Sequence, residues 1–113
     1  MTSSCTTSYG NTYEFSFERQ SDGTVRAYIE SQPSYGYRDT DPHKIHRNQD
    51  GSRHYVCVLE PIPRTISEAK VIAEEWARRN DRYIRSGVSF DAPGRSPAEN
   101  NECKGGWGRV LID

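Results

Sequence analysis

Hydrophobic positions recur along this chain with two different periods, and the change of period divides it into strands and a helix. From Thr12 to Arg19, Tyr13, Phe15 and Phe17 alternate with Glu14, Ser16 and Glu18, the order of a strand with one aromatic and one acidic face. Ser21-Asp22-Gly23 follows, and Asp-Gly between alternating runs signals a hairpin, because glycine accepts the positive φ of a tight turn. The return strand, Thr24 to Ser31, turns Val25, Ala27 and Ile29 inward and Arg26, Tyr28 and Glu30 outward. Further on, the run from His54 to Leu59 is apolar on both faces after its first residue, which suits a central strand. Lys44 to Arg47 is placed to pair with it across a five-residue connection, Asn48 to Ser52.

From Thr65 to Gly87 the spacing becomes helical. Ala69, Ile72, Ala73, Trp76 and Tyr83 share one stripe. Thr65 with Glu68 forms a capping box at the start, and Gly87 supplies the left-handed residue that ends the helix. On the surface, Glu74 with Arg78, Glu75 with Arg79 and Asp81 with Arg85 are spaced four apart with the acid first, the favourable order for ion pairs. A helix with one apolar stripe needs a sheet to cover, so the chain reads as α+β: a small antiparallel β-meander of three or four strands under one long helix. The expected core is Tyr13, Phe15, Phe17, Val25, Ala27, Ile29, Val56, Val58, Ala69, Ile72, Ala73, Trp76 and Tyr83, with Val88 and Phe90 folding back on the sheet.

Composition narrows the picture. Across 113 residues, 33% hydrophobic, there is room for one domain with a small core. Residues 1–11 are nearly all Thr, Ser, Tyr and Gly, and 91–113 begins with a stretch rich in Pro, Gly, Asn and charge; both are expected to be flexible tails around a folded unit at 12–90. The second tail ends in an apolar patch, Trp107, Val110, Leu111 and Ile112. Fifteen basic against sixteen acidic side chains give a net charge of -1, too balanced for a protein that binds nucleic acid by neutralising phosphates. Three cysteines, Cys5, Cys57 and Cys103, do not make a disulfide framework, and nothing resembles a signal peptide or an 18-residue apolar span. A soluble protein of the reducing cytoplasm is the expectation.

Candidate chemistry gathers in the connector between the two pairs of strands. His43, His46, His54 and Cys57 have zinc-ligand types, but residues three apart on a strand point to opposite faces, so no metal and no cofactor is expected. Cys57 with His46 or His54 as base would make a cysteine-dependent enzyme, although the strand's apolar setting raises a thiol pKa. Helix arginines Arg78, Arg82 and Arg85 form a row that would suit an RNA-binding module, interrupted by carboxylates. The favoured reading is a non-catalytic binding protein. Its loop, about 35–53, contacts a protein partner or a small phosphorylated ligand through Arg26, Tyr28, Tyr35, Tyr37, Arg38, His43, His46, Arg47 and Arg53.

Overall fold

A computed structural model of the chain describes residues 2–58 and 61–90, and the C-terminal segment expected to be flexible, with its Trp107 patch and Cys103, lies outside them. Five strands and two helices follow one another: β1 (Thr2–Thr6), β2 (Thr12–Arg19), β3 (Val25–Ser31), α1 (Pro42–Ile45), β4 (Arg47–Asp50), β5 (Arg53–Val56) and α2 (Ile66–Ser86). The strands form one antiparallel sheet in the order β1-β2-β3-β5-β4. The architecture is α+β, with the long helix laid across one face of the sheet. β5 occupies the interior place its apolar run called for. No helix among the described residues is long and apolar enough to cross a membrane.

Local signals decide where the elements begin and end. Thr65 accepts from the Glu68 amide at 3.1 Å, and the Glu68 carboxylate in turn accepts from the Arg64 amide at 3.1 Å, one residue before the expected reciprocal partner. At the other end Gly87, with φ 78°, donates its amide to the Tyr83 carbonyl at 2.8 Å. The β4–β5 hairpin closes more tightly than the sequence spacing suggests. Arg47 to Asp50 pairs with Val56 to Arg53 across Gly51 and Ser52 alone. Gly51 has φ 63° whereas Ser52 is not in the positive region, the signature of a primed turn with glycine first. Lys44 and Ile45 belong to α1 instead, because Asp41 caps the His43 amide at 2.8 Å and Pro42 presets the first helical φ.

The core is aromatic. Trp76 is fully buried, edge-on to Tyr13 at 5.9 Å and to Phe15 at 6.1 Å, and its indole N–H donates to the Ile45 carbonyl at 2.8 Å. Phe90 folds back beside it as expected, 6.3 Å from the Trp76 ring, whereas Val88 stays exposed. Ile29 and Val58 of the expected core are only partly buried. Tyr28, assigned to the outer face of the sheet, lies on that face yet is only 3% exposed, because the guanidinium of Arg53 covers its ring at 3.7 Å and Tyr55 flanks it at 5.5 Å.

One expectation is overturned. The N-terminal residues are not a flexible tail: Thr2 to Thr6 pair with Ser16 to Thr12 in an unbroken register. What holds them is Asp81, which the spacing had assigned to Arg85. Its carboxylate, 3% exposed, accepts from Thr7 Oγ1 at 2.5 Å, Asn11 Nδ2 at 2.9 Å and Tyr13 OH at 3.1 Å, so one helical side chain fastens the whole β1–β2 hairpin. Arg85 reaches the Tyr9 hydroxyl and ring instead. Glu75 and Arg79 do pair, Nε to Oε2 at 2.7 Å, but inside the protein and not on its surface. Arg78 pairs with Glu75 at 2.8 Å and not with Glu74.

Two stability predictions follow from this burial. Asp81→Ala strands three donors in the interior and is expected to cost about 3 kcal/mol in urea unfolding, with loss of exchange protection in β1. Burial first, and the Asp81 charge after it, raise the Tyr13 phenol above its ordinary value of 10.0. The unfolded chain therefore releases this proton as the pH passes 10.0 while the folded chain keeps it, so stability is intact below that pH and falls above it. Tyr13→Phe should flatten that alkaline limb.

Candidate functional site

The nine residues singled out in the sequence do not share one surface. Eight of them divide among three places and the interior, and His43 stands apart on α1; strand register decides the placement of those that lie on strands.

Arg26, Tyr28 and Arg53 meet on the face of the sheet that α2 leaves open. The Arg26 guanidinium lies over the Tyr55 ring at 4.1 Å and bridges to Asp50 at 3.3 Å, and Tyr28 OH donates to the same carboxylate at 2.8 Å. Arg53 pairs with Glu18 at 2.7 Å and Glu30 at 3.2 Å. These bonds hold the Glu18 carboxyl below its ordinary range and the Arg53 guanidinium above its own. Every cation here already has its carboxylate, so the patch is a self-satisfied lattice on the sheet and offers little to an anion.

Tyr35 and Arg47 come together on the opposite side, at the flank of the helix. Arg47 lies over the Tyr35 ring at 5.3 Å and donates to Gln32 Oε1 at 2.9 Å, while Tyr35 OH donates to Asn80 Oδ1 at 2.6 Å. Burial is the leading cause of the raised Tyr35 phenol. His54 lines a shallow depression with Gln32 and Arg47, and burial followed by the Arg47 charge lowers its pKa from 6.5. His43 is exposed on α1. His46 is buried, caps α1 in the left-handed region at φ 49°, and packs its ring 5.7 Å from Phe90.

Tyr37 and Arg38 make the third place. Tyr35-Gly36-Tyr37-Arg38 is a β-turn closed by the Arg38 amide on the Tyr35 carbonyl at 3.0 Å, with Gly36 at φ 60° supplying the conformation that other residues resist. Both ends are tied to α2. Tyr35 is held by Asn80, and Arg38 Nε donates to the Ile84 carbonyl at 3.1 Å, satisfying one of the helix's terminal acceptors. A third tie, Tyr83 OH to the Asp39 carbonyl at 2.7 Å, follows directly after the turn. Tyr37 itself stands at 107% relative exposure, held by no hydrogen bond or ring contact among the described residues. Next to it a cavity of about 360 Å³ is lined by Arg38, Asp39, Lys44, Tyr83, Gly87 and Ser89.

The chemistry proposed for Cys57 loses its support here. Burial pushes the thiol up and a bond to Asn48 only partly offsets it. His54 pairs in register with Ile29 and Gln49, away from the thiol, and the His46 ring faces Phe90. Among the described residues no three potential ligands gather around a point where a metal ion would sit. The helix arginines are also occupied: Arg78 with Glu75, Arg82 with the Ser89 carbonyl at 3.0 Å, and Arg85 with Tyr9. A second cleft, about 300 Å³, opens where β3 diverges from the segment after β5, between Val25, Ala27, Val56, Val58 and Ile72; nothing in the sequence pattern announced it. Comparison with protein-family models, curated proteins and solved structures yields no match.

Cys57 supplies a direct check on this site. Native-state alkylation at neutral pH, followed by mass spectrometry, is expected to run slower at Cys57 than on a free cysteine, and a faster rate would restore the enzymatic reading.

Proposed function

We propose that the chain is a small non-catalytic binding protein that engages a protein partner through the Tyr35–Arg38 turn, with Tyr37 as the anchor. The observation that carries this reading is a fully exposed aromatic ring on a turn fastened at both ends to the helix. A side chain mounted this way loses little backbone entropy when a partner covers it, and tyrosine is among the residues most enriched at binding hot spots. The adjoining cavity gives a partner side chain somewhere to enter.

Between the two ligand classes drawn from the sequence, charge favours the protein. Lys44 is paired with Asp39 at 3.0 Å and Arg38 serves the helix end, so a phosphate arriving here would have to displace a carboxylate. Cys5 and Cys57 are both free thiols, which supports a reducing, cytoplasmic setting.

The test uses a photo-crosslinking amino acid at position 37 to capture the partner in the native host, then measures affinity for the purified partner. Tyr37→Ala is expected to weaken binding by tenfold or more, about 1.4 kcal/mol, with an unchanged melting temperature because the ring supports nothing in the fold. Equal affinity of Tyr37→Ala and the parent protein for that partner would reject the turn as the contact.

A further inference from the structure

β1 is an edge strand, and its open side has a definite hydrogen-bonding parity. The Thr7 amide donates to the Asn11 carbonyl at 2.9 Å, so residues 7, 5 and 3 point their amides at β2. The amides and carbonyls of Thr2, Ser4 and Thr6 therefore point away from the sheet, and among the described residues no backbone group meets them. Edge strands are usually blunted by charge, proline or a bulge. β1 reads Thr-Ser-Ser-Cys-Thr, with none of these, and the one irregularity nearby falls between β2 and β3. The opposite edge is different. β4 reads Arg-Asn-Gln-Asp, charged at both ends, and its hairpin parity, set by the Cys57 amide on the His46 carbonyl at 2.9 Å, leaves only Arg47 and Gln49 facing outward.

We infer that β1 pairs antiparallel with β1 of a second copy of this chain, about a two-fold axis through Ser4, making one continuous sheet across the dimer. The sequence of the strand selects this occupant. Antiparallel pairing centred on Ser4 sets Thr2 against Thr6, Ser4 against Ser4 and Thr6 against Thr2, so every outward amide meets an outward carbonyl and no charge opposes another. Any register shifted by one residue would oppose outward groups to inward ones. The strand is also ready for it: the Asp81 bonds to Thr7, Asn11 and Tyr13 hold the hairpin in place, so pairing orders nothing new.

The helices leave the junction clear. α2 lies over β2 and β3, on the same side as Cys5, whose thiol feels both Glu74 and Arg78. A two-fold axis through Ser4 runs the two helices antiparallel on one side of the joined sheet. Each helix sits about two strand spacings from the axis, so the two helix axes lie about four spacings, roughly 19 Å, apart, and neither helix obstructs the pairing of the β1 strands.

Sedimentation equilibrium on the full chain, from micromolar to millimolar concentration, tests this. The expected result is a rise from monomer to twice the monomer mass, accompanied by concentration-dependent exchange protection of the Ser4 and Thr6 amides. Ser4→Pro deletes the outward amide at the axis without removing a β1–β2 bond, and should hold the protein monomeric. Ser4→Glu leaves that amide in place and sets two like charges against each other, so it should weaken association at least tenfold even if the proline variant misfolds; added salt should recover part of the loss. A parent protein that stays monomeric throughout overturns the proposal. So does a dimer that survives both substitutions, or one in which the Ser4 and Thr6 amides still exchange fast. Protection of those amides only on addition of another protein's extended peptide would also overturn it, assigning the edge to a foreign strand.

Discussion

A carboxylate buried to 3% exposure dictates how this molecule holds together. Asp81 lies in the last third of α2, on the face that meets the sheet, where an unpartnered charge would cost several kcal/mol. It is tolerated only while Thr7, Asn11 and Tyr13 all donate to it. Its neighbour Asn80, completely buried, donates to the Tyr13 hydroxyl at 3.1 Å and accepts from Tyr35 at 2.6 Å. Two consecutive helical residues thus tie the first hairpin and the long connector to the same turn of helix. Apolar packing around Trp76 supplies most of the driving force for folding, but it is nearly indifferent to small slips. This polar knot is not, because a displaced partner leaves a buried group unpaired, and that penalty selects one arrangement.

The knot also explains what the sequence could and could not reveal. Elements with apolar periodicity were legible: the aromatic alternation of β2, the inward set of β3, the interior run of β5 and the stripe of α2 with its caps. β1 was not, since Thr-Ser-Ser-Cys-Thr carries no apolar alternation and its order comes from a partner 74 residues away from Thr7. Read by helical spacing alone, Asp81 looks like half of a surface ion pair with Arg85. Only burial tells the two roles apart, and burial is a property of the assembled fold. The Glu75–Arg79 pair shows the same ambiguity from the other side, since the spacing identified the partners while their place in the interior was invisible.

For the candidate site the residue types were legible and their grouping was not. Arg26, Tyr28 and Arg53 were recognisable as outward-facing, yet each cation is neutralised from a strand other than its own, by register: Arg53 of β5 by Glu18 from β2 and Glu30 from β3, and Arg26 of β3 by Asp50 from β4. A shift of one residue between β3 and β5 would have undone the Arg53 pairs, and one in the β4–β5 hairpin the Asp50 pairs. Tyr35 and Tyr37 lie two residues apart in a segment without periodicity, and one is an internal strut while the other is fully exposed. Gly36 makes the difference by reversing the chain between them, so the fate of each ring depends on a single φ angle.

The two proposed contacts are mechanically linked through the helix. The turn that presents Tyr37 is fixed by Asn80 and Ile84, and the edge that presents Ser4 is fixed by Asp81, so both surfaces are referenced to the same stretch of α2. A dimer joined through β1 would therefore carry two Tyr37 anchors at a set separation and related by the two-fold axis. Such a pair engages a partner bearing two copies of its own site with an effective concentration fixed by geometry, and gains affinity without any new contact. A partner with one site gains nothing. The rigidity bought by burying a charge in α2 would then be what turns a weak single contact into a selective double one.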